Sequence, residues 1–224
     1  MKNLIFCSAS FHINNFSHVK REKEYWLCLK QLIRNIPKNF DIVVCDNTIQ
    51  HKNDLTDVNL KNELNKVKLL ILNRNIGTGN IGMGELDELI YTSKNINFFN
   101  YDKIVYFTLR KIITNPWIFE QVNKMNKEAL LSNPPLLSLS NYNFRYYPIN
   151  KTLFNDMFFC LTSGLMLNYI EYSKKHIEYN LKYNIGSEQN LYKFIHSKNV
   201  DYHLLETLGL LRIDYKNNDE IQLI

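Results

Sequence analysis

Through its first 140 residues this 224-residue chain alternates short, unbroken apolar runs with longer amphipathic stretches. An apolar run with no polar alternation belongs to a strand buried on both faces, and such strands are parallel ones covered by helices. The pattern predicts strands at "NLIFCSA" (3–9), "FDIVVCD" (40–46), "VKLLILN" (67–73), "KIVYFTL" (103–109) and "PLLSLS" (135–140). Helices are expected between them at 19–36, 55–64, 79–94 and 115–129. Asn115-Pro116 suits a helix start, with Asn as the cap and Pro where a missing N–H costs nothing.

After Pro148 the rhythm changes. "MFFCLTSGLMLNYI" (157–170) reads as a long apolar strand broken by Thr162, Ser163 and Gly164, followed by the lysine- and tyrosine-rich helix "EYSKKHIEYNLKY". "GSEQNLYKFIHSK" predicts a further helix capped by Ser187, with Glu188 and Gln189 in its first turn. A strand is expected at 200–206. No repeat or linker divides the chain, so a single domain is expected over 1–224.

Composition narrows the partners. With 45% hydrophobic and 22% charged residues the chain can bury a core, and its net charge of +5 suits an anionic ligand or an acidic membrane surface. No Lys/Arg-dense stripe points to nucleic acid, so none is expected as a partner. Cys7, Cys28, Cys45 and Cys160 form no C-x-x-C pair and are expected as buried free thiols. The N-terminal apolar run is too short for a signal peptide, and none approaches the roughly 18 residues of a membrane span. The expectation is a cytoplasmic protein, with peripheral contact at the inner face of the membrane left open.

"LNRNIGTGNIGMGE", Leu72 to Glu85, holds four of the seven glycines. Gly77, Gly79 and Gly82 spell G-x-G-x-x-G, and three readings compete. A dinucleotide fingerprint belongs after the first strand, with an acid about 20 residues on. Here it follows the third strand and the next one ends in "TLRK", whose arginine still leaves an NADP-dependent oxidoreductase open. In the second reading the glycines only make a tight strand-to-helix turn and let the helix pack. The third reading takes the ordered context: a first strand ending in small polar residues such as Ser8, a second ending "VVCDNT", a third ending "NRNIGTGNIG", and a fourth followed by a Pro that opens a helix.

That ordered set resembles the GT-A fold of nucleotide-sugar glycosyltransferases, in particular the large inverting family. The likeness runs over about residues 3–125 and continues more loosely to about 206. It implies a Rossmann-type α/β domain, its sheet mixed and mainly parallel and flanked by helices, with a nucleotide-binding half at 1–125 and an acceptor-side half at 126–224. It also implies that Asp46 bonds the nucleobase or ribose with Asn47 and Thr48 beside it, and that Asn75, Gly77 and Gly79 border the nucleotide. Ser8 joins the binding candidates.

Family members place Asp-x-Asp, a holder of Mn²⁺ or Mg²⁺, where this chain has Thr108 to Lys111. Hard divalent cations want oxygen ligands, so no metal cofactor is expected. Arg110 and Lys111 can instead neutralise the departing diphosphate. Neighbours on a strand face opposite ways, so only one of the two reaches the ligand unless the strand has already ended. The position matching the family's general base is Glu188, where the helix dipole favours a carboxylate. Ser163 and Gly164 would shape the acceptor side, and His203, with Glu206 and Arg212 nearby, would lie at the distal edge. Tyr142, Phe144, Tyr146 and Tyr147, with Arg145, form an aromatic run suited to a sugar ring. The resulting expectation is inverting, metal-independent transfer of a sugar from a nucleotide-sugar donor to a hydroxyl of a glycan or lipid-linked acceptor. An NADP-dependent oxidoreductase and a non-catalytic nucleotide- or carbohydrate-binding relative remain alternatives.

Overall fold

The structure, a computed structural model, describes residues 2–13, 17–133, 136–140, 143–147, 153–214 and 220–223. Its main sheet begins with β1 (Asn3–Ala9), which pairs in parallel with β2 (Phe40–Asp46) on one side and with β4 (Lys103–Thr108) on the other. Beyond β2 lies β3 (Lys68–Ile71), also parallel. On the far side of β4, β9 (Phe158–Thr162) runs antiparallel and is followed by β6 (Ala129–Ser132) and the edge strand β10 (Tyr202–Leu205). The expected α/β class with a mixed, mainly parallel sheet is therefore observed. One continuous sheet crosses the division at 125/126.

Every residue of β1 is buried, as its unbroken apolar run requires when both faces carry helices. On one face α1 (His18–Asn35), α2 (Val58–Leu64) and α4 (Trp117–Lys124) close a core around Ile5, Tyr25, Leu60 and Phe119. On the other, α3 (Ile81–Asn95), α5 (Ser163–Lys182) and α6 (Ser187–Ser197) pack around Phe6, Met83, Tyr169 and Phe194. Because α1 covers one face and α3 the other, the chain leaves β1 in two directions, and a crevice opens at the carboxyl ends of the strands.

A second sheet, in the order β5 (Ile112–Ile113), β11 (Leu210–Asp214), β12 (Glu220–Leu223), β7 (Leu136–Ser140), β8 (Asn143–Tyr147), is antiparallel throughout.

Three local expectations change. The 157–170 segment is not one broken strand: β9 ends at Thr162 and α5 starts at Ser163, its apolar residues continuing as the buried stripe of a helix. The helix expected at 115–129 stops at Lys124, although Asn115 does accept from the Trp117 N–H at 2.9 Å. The cap of α6 is Gly186 rather than Ser187, whose hydroxyl donates instead to Asp156.

Candidate functional site

The carboxyl ends of β1 and β2 are tied together by one carboxylate. Asp46, fully buried, accepts the backbone N–H groups of Phe11 at 2.7 Å, Thr48 at 2.7 Å and Ile49 at 2.8 Å, and the Thr48 hydroxyl at 3.0 Å. Burial raises its pKa despite these donors. With both oxygens engaged, Asp46 shapes the loops that follow β1 and β2. Ser8 is buried, and its hydroxyl donates at 2.5 Å to Glu88 inside the fold.

Above Asp46 lies a cleft of about 480 Å³, walled by Ser10 and His12 after β1, Asn47 and Thr48 after β2, and Asn75, Gly77 and Gly84 of the glycine turn and α3. Asn75 closes the turn by accepting the Gly77 N–H at 2.8 Å. A Cβ on Gly77 would stand 2.8 Å from the Gly84 Cα, so these two glycines let the turn lie directly on α3. A Cβ on Gly82 would strike Ser187 at the start of α6. Nothing lies within 4 Å of a Cβ on Gly79. The glycines thus serve packing as well as the cleft wall. Asn47 is 7% exposed, and its Nδ2 donates to the Gly84 carbonyl at 3.4 Å while its Oδ1 has no partner among the described residues.

Arg110 and Lys111 follow the end of β4, so the two side chains are not forced to opposite faces, and both act on Glu85. Lys111 is buried and Arg110 half-buried. Burial works against the Arg110 charge, yet Tyr25, Glu24 and Glu85 hold its pKa above the ordinary value. Glu85 accepts the Tyr106 hydroxyl at 3.0 Å. Burial raises its pKa against that hydrogen bond and the pull of Arg110 and Lys111. Asp156 is pushed up strongly by burial and by the nearby charges of Glu85 and Glu188. Glu188 stands in the first turn of α6 and folds back over Gly186, where a Cβ would lie 2.6 Å from its Oε2. The sequence-predicted Arg110, Lys111 and Glu188 therefore meet at one place. Glu85 and Asp156, which sequence reasoning missed, complete it. Glu85 was visible as the acid ending the glycine stretch, whereas Asp156 carries no local signal. Among the described residues, no group of three or more His, Cys, Asp or Glu side chains is placed to hold a metal ion.

The remaining candidates lie elsewhere. Thr162 pairs with Lys103 at the start of β4, so Ser163 and Gly164 sit at the opposite edge of the sheet from the cleft, where Ser163 bonds the Tyr101 and Asp102 carbonyls. His203 is exposed on β10, separated from β4 by two strands. Ser163, Gly164 and His203 do not line the cleft beside Asn47. Tyr142 lies outside the described residues, and for Phe144, Arg145, Tyr146, Tyr147 and Arg212 only the strands are described. All four cysteines are buried and free. No helix among the described residues is long and apolar enough to cross a membrane.

No protein-family model and no curated protein sequence matches the chain. Among solved structures it is similar to a 4-diphosphocytidyl-2C-methyl-D-erythritol synthase from Anaerococcus prevotii DSM 20548, with a TM-score of 0.54 and 10% identity over 96% of this chain and 90% of that one. A putative nucleotide-diphospho-sugar transferase from Desulfovibrio desulfuricans G20 gives a TM-score of 0.53 and 8% identity, covering 92% and 80%. The inositol-1-phosphate CTP transferase from T. maritima gives 0.52 and 13%, covering 92% and 85%. At these identities the likeness is one of fold.

Proposed function

We propose that this chain is a nucleotide-dependent transferase, and within that class a glycosyltransferase moving a sugar from a nucleotide-sugar donor to a hydroxyl of a glycan or lipid-linked acceptor. The observation that carries the reading is Asn47 Oδ1, a buried acceptor without a partner among the described residues, in the wall of a cleft at the carboxyl ends of β1 and β2. Leaving such an atom unpaired costs about 1–3 kcal/mol, and a donor on a nucleobase or ribose removes that cost. The fold shared with a putative nucleotide-diphospho-sugar transferase supports the same reading.

The cleft meets the charged cluster at two seams, Gly84 beside Glu85 and Ser10 beside Tyr25, whose hydroxyl accepts the Ser10 N–H at 2.8 Å. A nucleoside in the cleft puts its diphosphate toward Arg110 and Lys111. These cations offset charge growing on the leaving group, and both act electrostatically on Glu85 beside them. Glu188 takes the proton of the acceptor hydroxyl as the sugar–phosphate bond breaks. Metal independence follows from cations standing where carboxylates would hold a divalent ion. Asn75 and Gly77 shape the cleft wall.

A thermal-shift panel of UDP, GDP, CMP, CTP and NADP⁺ tests the reading, since a ligand of the native state raises the melting temperature. A nucleoside diphosphate is expected to stabilise the protein, and Asn47→Ala to abolish the shift. Stabilisation by NADP⁺ alone would replace this reading with the oxidoreductase. Pyrophosphate release from CTP would replace it with nucleotidyl transfer. Turnover that vanishes in EDTA and returns with Mn²⁺ would overturn metal independence.

A further inference from the structure

We propose that His12, oriented by Glu22, is a second polar contact to the nucleotide in this cleft, meeting a polar atom of the nucleoside with Nδ1. The inference rests on the nucleotide reading above and adds a residue that neither the glycine turn nor the charged cluster contains.

His12 is fixed at both ends. Its backbone N–H donates to Thr48 Oγ1 at 2.9 Å, and its Nε2 lies 2.8 Å from Glu22 Oε1. Glu22 is fully buried, and its other oxygen accepts the N–H groups of Thr56 at 2.8 Å and Asp57 at 2.6 Å and the Thr56 hydroxyl at 3.1 Å. Those donors and His12 outweigh burial and lower the Glu22 pKa, so the group is a carboxylate. A carboxylate accepts only, hence the proton sits on Nε2 and Nδ1 becomes the working atom of the ring. Nδ1 has no hydrogen-bond partner among the described residues. The side chain is 16% exposed, and the residue lines the cleft.

The ring is held in place on its flank as well, stacked on the ring of His18 at 4.2 Å.

Binding of UDP-glucose and GDP-mannose at one pH reads this contact directly. His12→Phe should lose about tenfold in affinity, in the range of one hydrogen bond. His12→Gln, which keeps a polar group at that place, should retain most of the affinity. Glu22→Gln, which weakens the hold on the ring, should lose severalfold while His12→Phe/Glu22→Gln loses no more than His12→Phe alone. Wild-type affinity in a stably folded His12→Phe protein would overturn the inference alone. If wild type binds neither probe and neither UDP nor GDP, the nucleotide reading falls and the inference with it.

Discussion

Asp46 shows how one side chain sets the geometry of a site it does not touch. Three backbone donors, from Phe11, Thr48 and Ile49, converge on its carboxyl, and without it they are left unpaired in a region with no water. At roughly 1–3 kcal/mol for each buried group left unsatisfied, Asp46→Ala should lower the unfolding free energy by about 3 kcal/mol or more. Asp46→Asn, which keeps one accepting oxygen, should lose less. Urea denaturation measures both, and wild-type stability in Asp46→Ala would disprove the structural role. The acid was legible in the sequence as the polar end of an apolar strand. Its partner Phe11 lies 35 residues earlier and approaches only after β1 and β2 pair, so the role was not legible. Asp156 illustrates the same limit, because it gains meaning only when α6 and α3 bring Ser187 and Glu85 to it.

At the scale of elements, the glycine turn joins β3, α3 and α6 into one contact. Backbone meets backbone at Gly77 and Gly84, where no side chain can move aside. Gly77→Ala should therefore destabilise the protein by about 1–3 kcal/mol, the usual cost of overpacking. Gly82→Ala, pressed on Ser187, should do the same. Gly79→Ala should stay within about 0.5 kcal/mol. Melting curves of the three variants distinguish this packing from a loop whose glycines serve only a ligand, in which all three would fold with wild-type stability. β1, β2 and β4 were legible almost to the residue because strands buried on both faces leave unbroken apolar runs. The β9–α5 junction was not, since a buried strand and the buried stripe of a helix look alike over a few residues. Nor was the antiparallel second sheet, whose strand β5 has two residues and pairs with β11 far along the chain.

Over the whole molecule, the net charge of +5 understates how positive the site is. Asp46, Glu85, Glu88 and Asp156 all have raised pKa values, chiefly through burial. The raised pKa values of Glu85, on which both Arg110 and Lys111 act, and of Asp156, on which Lys111 acts, leave more of that positive charge for an anionic ligand. They also govern stability. An acid whose pKa is higher in the folded than in the unfolded chain binds more protons when folded, so stability falls as pH rises from the unfolded value through the folded one. Glu22, shifted down, works in the opposite sense at lower pH. Glu88 makes the sharpest case, because it is fully buried, its Oε1 has no hydrogen-bond partner among the described residues, and its pKa stands well above the ordinary value of 4.5. Unfolding free energy should therefore decline as pH rises above that ordinary value. Glu88→Gln has nearly the same shape and no proton to lose, so it should be more stable than wild type at pH 7. The gap should widen by up to about 1.4 kcal/mol for each pH unit until the folded pKa is passed. Denaturant titrations of both proteins at several pH values measure that slope. Stability rising with pH through this range, or a Glu88→Gln protein less stable than wild type at pH 7, would mean that Glu88 is ionised in the fold.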